Sequence, residues 1–170
     1  DQCKIKYAQR FATKKTEPGK SSCWVLTRQC IIIIFVNNLF NPQHMKKIIT
    51  SKNAPEPIGP YSHAVLANNM LFVSGQIAKN AATGELIIGD IKKESKQVME
   101  NVKAILTDAG MDFTHICKTT IFLKDMNDFA AVNEVYGSYF TGNYPARETV
   151  QVAKLPLDVN VEISVTAVKI

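Results

Sequence analysis

Two residues in this 170-residue sequence have types and positions that could do chemistry. Arg147 is the only arginine in residues 45–170, where lysine does all the other basic work, and it follows Pro145-Ala146 at the mouth of a strand. A planar guanidinium is the group suited to holding a carboxylate through two parallel hydrogen bonds. Glu162 lies mid-strand in an apolar segment, where a carboxylate is costly unless it is paired or used. Each also has a plainer reading, a surface salt bridge for Arg147 and a solvated outward face for Glu162. Other local signals are thin. The chain has no Gly-rich phosphate loop, no HExxH, no CxxC and no GxSxG. His44, His63 and His115 are scattered, which argues against a histidine metal site.

The elements that must position these residues read clearly from residue 45 onward. Asn53 to Tyr61 holds three prolines and a glycine, the composition of an ordered, turn-rich lead-in. Met70–Val73 is a short strand, followed by Ser74-Gly75-Gln76, where Gly75 permits close backbone approach. Ala82-Thr83-Gly84-Glu85 is a turn. Around Lys92–Ala109, the residues Val98, Val102, Ile105, Leu106 and Ala109 recur with the period of one buried helix face, and Gly110 stands where a C-terminal cap belongs. Ile116–Leu123 is a central strand, with Cys117 read as a buried core thiol. Lys124–Asn127 turns into a second helix reaching about Tyr139, with Asp125 or Asn127 as N-cap and Phe129, Val132, Tyr136 and Tyr139 as its apolar face. Thr149–Val152 is another strand. Across Val159–Val168, Val159, Val161, Ile163, Val165 and Ala167 face one way, and Asn160, Glu162, Ser164 and Thr166 the other. The order β, α, β, α, β, β predicts an α+β domain, a mixed sheet with two helices packed on one face. The opposite face is partly polar and must meet water or another subunit. No internal repeat is visible.

Composition divides the chain in two. It is 46% apolar and 21% charged, ordinary for a globular protein and wrong for disorder or a disulfide-dense scaffold. The net charge of +5 lies wholly in residues 1–44, which carry seven Lys/Arg against two Asp/Glu; residues 45–170 carry 13 of each. The larger part therefore has no electrostatic bias toward phosphates. Cys3, Cys23 and Cys30 fall in the first part without metal-ligand spacing, and Cys117 stands alone in the second, which suits a reducing compartment. Residues 1–44 lack the habits of a folded domain. Three readings stay open: non-native or upstream sequence before a start at Met45, an organelle-targeting peptide, or a segment with a structural role. The corresponding localisation is cytoplasmic, or mitochondrial or otherwise organellar if the segment is a targeting peptide. The longest apolar run, Cys30–Val36, falls far short of the ~20 residues a membrane span needs.

Several motifs between Met45 and the C-terminus resemble, in order and without large gaps, the reactive-intermediate deaminase family of the Rid or YjgF type. They are Asn53-Ala54-Pro55, Ile58-Gly59-Pro60-Tyr61, Ser74-Gly75-Gln76, Asn101-Val102-Lys103-Ala104-Ile105-Leu106 and Lys118-Thr119-Thr120. Lys124-Asp125-Met126-Asn127-Asp128-Phe129, Tyr144-Pro145-Ala146-Arg147, Val152-Ala153-Lys154-Leu155-Pro156 and Val161-Glu162-Ile163 complete them. The resemblance implies a chorismate-mutase-like subunit assembled as a homotrimer, with sites in the clefts between subunits. It implies hydrolysis of 2-imino acids, 2-iminobutanoate and 2-iminopropanoate, to 2-keto acids and ammonia, with no metal or organic cofactor. That activity belongs to amino-acid metabolism and disposes of reactive imines released by pyridoxal-phosphate enzymes.

Carried over by position, Arg147 holds the substrate carboxylate and Glu162 positions or activates the attacking water. Tyr61 lines the cleft, Gly75 offers a backbone contact, and Asn133 lies near the site. Thr149 stands where many members carry cysteine, which removes thiol chemistry from expectation. Two other classes remain beside the enzyme, a small-ligand-binding or regulatory trimer and a translation-inhibiting ribonuclease. The neutral charge of residues 45–170, with no aromatic-basic surface pattern, weighs against the latter.

Overall fold

The computed structural model describes residues 46–169. The basic segment 1–44, with Cys3, Cys23, Cys30 and His44, lies outside the described residues, as do Met45 and Ile170. Six strands and two helices are described: β1 Lys46–Ile49, β2 Ala64–Ala67, β3 Met70–Ile77, α1 Ile91–Asp108, β4 Ile116–Leu123, α2 Phe129–Gly137, β5 Ala146–Gln151 and β6 Val161–Val168. The strands form one sheet in the order β1-β2-β3-β6-β4-β5. All neighbours are antiparallel except β4 and β5, which run parallel because α2 carries the chain back between them. The α+β fold with both helices on one sheet face is the one the patterning predicts.

The strict alternation of β6 is the centre of the core. Val161, Ile163, Val165 and Ala167 turn inward and meet Leu71 and Val73 of β3, Ile121 and Leu123 of β4, and the α1 residues Val98, Val102, Ile105 and Leu106. Asp90 caps α1 by accepting from the Lys92 and Lys93 amides. At the other end Gly110 takes φ +70°, and the Met111 N–H closes onto the Leu106 carbonyl at 2.9 Å, a Schellman ending. Both ends agree with the sequence to within a residue.

Other boundaries differ. β1 and β2, absent from the pattern reading, form an antiparallel ribbon on β3. β3 continues to Ile77 because one extra residue is taken up between Val73 and Gln76, a bulge that lets pairing with β6 resume. The second helix is shorter than predicted. A 3₁₀ turn, Met126–Asp128, capped by Asp125 accepting from the Asn127 amide, precedes α2, which ends at Gly137 rather than Tyr139. β5 spans Ala146–Gln151 instead of Thr149–Val152, so Arg147 is inside the strand.

Cys117 is corrected outright. It is exposed, because pairing between β4 and β6 slips between Ile116 and Lys118 and turns both Cys117 and Lys118 outward. The open sheet face is also less polar than its pattern implied, since Ile48, Met70, Phe72 and Val150 are exposed apolar side chains there. No helix among the described residues is long and apolar enough to cross a membrane.

Candidate functional site

On the helix side of the sheet, Arg147 stands opposite Thr119 in the β4–β5 register. Its guanidinium carbon lies 5.0 Å from the centroid of the Tyr136 ring and 5.7 Å from that of Phe129, both within cation–π range. Tyr136 is buried and donates its hydroxyl to Thr119 Oγ1 at 3.1 Å. Burial pushes the Tyr136 phenol up, against smaller opposing effects of the Thr119 hydrogen bond and the Arg147 charge. Among the described residues no carboxylate forms a salt bridge with Arg147, so the surface ion pair that was its plain alternative is not made. Asn133 occupies the same helix between Phe129 and Tyr136, and Thr149 is two residues along β5 from Arg147. Asn133 Oδ1 and Thr149 Oγ1 are both buried without a hydrogen-bond partner among the described residues. Such orphans are uncommon in a finished interior.

Glu162 is on the other face. In register it lies between Ile77 of β3 and Phe122 of β4, and it is half-buried. The β3 bulge makes room for it: a Cβ on Gly75 would overlap the Glu162 carboxylate. That close approach explains why a glycine stands there. Burial alone pushes the Glu162 carboxyl up from its ordinary value. Buried Gln76 steadies the bulge by donating to the Ser74 carbonyl at 3.0 Å.

The turn bearing Tyr61 is tied to the same bulge. Ser74 Oγ donates to the Ser62 carbonyl at 2.7 Å, and the Ser74 amide donates to the His63 carbonyl at 3.0 Å. Tyr61 itself is 46% exposed and accepts the Ile58 N–H at its hydroxyl, 3.2 Å away. His63 is buried, with Nε2 donating to the Pro55 carbonyl at 2.9 Å and Nδ1 accepting from the Ser51 amide at 3.2 Å. These bonds make His63 a staple of the lead-in loop.

The six residues singled out in the sequence thus fall into two groups. Arg147, Asn133 and Thr149 cluster between α2 and β5, whereas Glu162 and Gly75 meet on the open face with Tyr61 tethered to their bulge. Sequence reading missed the aromatic support of Arg147, because Phe129 and Tyr136 registered only as a buried helix stripe. It also missed Gln76 and His63, which hold the bulge and the loop. A cleft of about 520 Å³ lined by Gly89, Ile91, Lys124, Asp125, Asp128 and Asn160 contains none of the six. Among the described residues no group of three or more His, Cys, Asp or Glu is placed to hold a metal ion.

A single mixed six-stranded sheet with two helices on one face is the architecture of the YjgF/L-PSP proteins. The chain is similar to E. coli TdcF with bound serine, at a TM-score of 0.71 and 45% identity over 74% of this chain and all of that one. The sequence pattern described as Endoribonuclease L-PSP matches residues 51–169, and the chain belongs to this family, the Rid/YjgF family. A RutC family protein of Pyrococcus horikoshii is 53% identical over 125 residues, 74% of this chain and 99% of the relative. The 2-iminobutanoate/2-iminopropanoate deaminase of Homo sapiens is 44% identical over 125 residues, 74% of this chain and 91% of the relative. Deaminase is therefore a function carried within the family.

Proposed function

We propose that this protein hydrolyses reactive 2-imino acids such as 2-iminobutanoate and 2-iminopropanoate to 2-keto acids and ammonia. The observation that carries the reading is Arg147, an exposed residue on β5 whose guanidinium lies over two aromatic rings and has no carboxylate partner among the described residues. A planar carboxylate fits the N–H edge of a guanidinium. The relatives named 2-iminobutanoate/2-iminopropanoate deaminase add support.

In this mechanism Arg147 binds the carboxylate and fixes the imine carbon, while Glu162 accepts a proton from the attacking water. A C–O bond forms, giving a tetrahedral carbinolamine. Glu162 returns the proton to nitrogen, then takes the hydroxyl proton as the C–N bond breaks and the carbonyl forms, and passes that proton to the departing ammonia. A protonated imine is already electrophilic, so orientation and one proton shuttle suffice, and the reading calls on no metal or organic cofactor. A raised carboxyl is closer to the operating pH of such a shuttle. Tyr61 and the Gly75 backbone line the water side of the cleft, and Asn133 and Thr149 the carboxylate side.

Because Arg147 and Glu162 face opposite ways in one chain, the site is formed between chains, and we assign a homotrimer with three such clefts. Exposed Phe72, Met70 and Ile48 on the open face provide apolar surface for that assembly. The test is a coupled assay in which an amino-acid dehydratase generates the imine and keto-acid release is followed. Acceleration by the wild type, lost in Arg147→Ala and Glu162→Gln, is the expected result; a ligand-binding protein would bind keto acids and give no acceleration.

A further inference from the structure

We infer that Tyr136, with Phe129 as a second wall, is a positioning residue that presets the Arg147 guanidinium for a carboxylate and so determines how tightly the substrate's acid group is held. The inference rests on the reading of Arg147 as the carboxylate receptor and adds what makes that receptor effective. Arg147 sits on an edge strand, is exposed, and has no acidic partner among the described residues. A long side chain in that situation samples many rotamers, and binding would have to freeze it. Here two aromatic rings already limit it.

Tyr136 is itself buried, packed and hydrogen-bonded. Its ring packs against Phe140 with centroids 4.8 Å apart, and Phe140 in turn contacts Phe113 at 5.7 Å. Its hydroxyl donates to Thr119, the residue paired with Arg147 across the β4–β5 rung. One rung of the sheet thus fixes both the phenol and the backbone from which the guanidinium extends. Contact with a ring uses the π face of a guanidinium, while a carboxylate uses the in-plane N–H donors. A guanidinium that meets a ring through its π face keeps its N–H donors for a carboxylate. Preorganisation of this kind acts on affinity and leaves the proton transfer at Glu162, on the other sheet face, untouched.

The test uses the full chain and the variants Tyr136→Phe, Tyr136→Leu and Phe129→Leu. Each is titrated with 2-oxobutanoate and with its neutral amide. Tyr136→Leu and Phe129→Leu should weaken 2-oxobutanoate binding about 3- to 30-fold, leave amide binding and kcat within about twofold, and Tyr136→Phe should retain most of the affinity. Phe129 is 39% exposed, so its variant folds even if Tyr136→Leu does not. Wild-type affinity in folded Phe129→Leu and Tyr136→Leu would overturn the inference, as would equal loss of acid and amide. A substrate-independent readout separates this from the catalytic reading. With only Arg10, Arg28 and Arg147 in the chain, the Arg147 side-chain N–H resonance is assigned by Arg147→Lys and should be ring-current shifted upfield, collapsing toward the other two in Phe129→Leu. An unshifted resonance in the wild type sinks the inference whether or not imines are hydrolysed.

Discussion

Arg147 and Glu162 project from opposite faces of one sheet. Arg147 pairs with Thr119, which shares the helix face with Ile121 and Leu123, and its guanidinium lies on Tyr136. Glu162 alternates with the buried Val161 and Ile163 and so points the other way. A site that needs both must take them from two chains. Mixing Arg147→Ala with Glu162→Gln after joint unfolding and refolding should therefore restore activity, since some clefts receive an intact arginine from one chain and an intact glutamate from the other. Random assembly gives about a quarter of the sites both residues. Recovery to that level in the imine assay is expected, and a mixture as inactive as its parents would place both residues in one chain's site.

The Glu162 carboxyl is pushed above its ordinary value of 4.5 by burial. As a base it must be ionised, so kcat/KM should fall on the acid side with a midpoint above that value, and Glu162→Gln should lose this limb together with most of the rate. Folding favours the protonated form. The Glu162 contribution to stability is thus full below the unfolded-chain value and is lost as pH rises through the raised folded value. Glu162→Gln should melt higher than wild type at pH 7 and alongside it at acid pH. A wild-type pH–rate profile in Glu162→Gln would remove the glutamate from the chemistry.

Gly75 leaves the space the Glu162 carboxylate fills. Gly75→Ala forces that carboxylate aside without touching Arg147. Turnover should drop by roughly ten- to a hundredfold, the cost typical of misplacing a catalytic group, while 2-keto acid affinity stays near wild type. Loss of affinity with turnover intact would reverse the assignment of the two sides of the cleft.

Glu94 is a fully buried carboxylate in the first turn of α1. It accepts from the Gly89 amide at 3.0 Å, Asn160 Nδ2 at 2.8 Å and the Asn160 amide at 3.3 Å, stitching the start of α1 to the residue before β6. Glu94→Leu takes the acceptor from these part-buried donors, and at about 1–3 kcal/mol for a donor left without a partner the protein should lose at least about 1 kcal/mol. Chemical denaturation measures this directly. A loss under about 1 kcal/mol would mean that water replaces the carboxylate.

Where the period of a segment decided its burial, the sequence was sufficient. β6 and α1 each bury one regular face, and both were legible to within two residues. Cys117 was not, because a bulge at the start of β4 resets the alternation and no local pattern records a bulge. β1 and β2 escaped for a related reason: four residues such as Lys46–Ile49 or Ala64–Ala67 are too short to display a period. The Glu162 side was readable from its own strand. The Arg147 side depends on how β5 registers against β4, a pairing made through α2 and invisible in the residues around Arg147. The candidate residues were thus within reach of the sequence, whereas their division between two faces of the sheet required the fold.

Residues 45–170 should fold and hydrolyse imines without residues 1–44. Among the described residues the core runs from Ile49 to Ala167, the family match spans residues 51–169, and the candidate site residues run from Tyr61 to Glu162. The excess positive charge lies in residues 1–44, so nucleic-acid affinity should divide the same way. Phosphate contacts scale with Lys and Arg and weaken steeply with salt. The shortened protein should match the full chain in kcat, KM and denaturation midpoint, and should show no RNA gel shift where the full chain shows a salt-sensitive one. An insoluble or inactive fragment would make residues 1–44 part of the working domain. Salt-resistant RNA binding by the fragment would instead favour a ribonuclease, because that affinity would have to come from a folded surface whose acidic and basic residues balance.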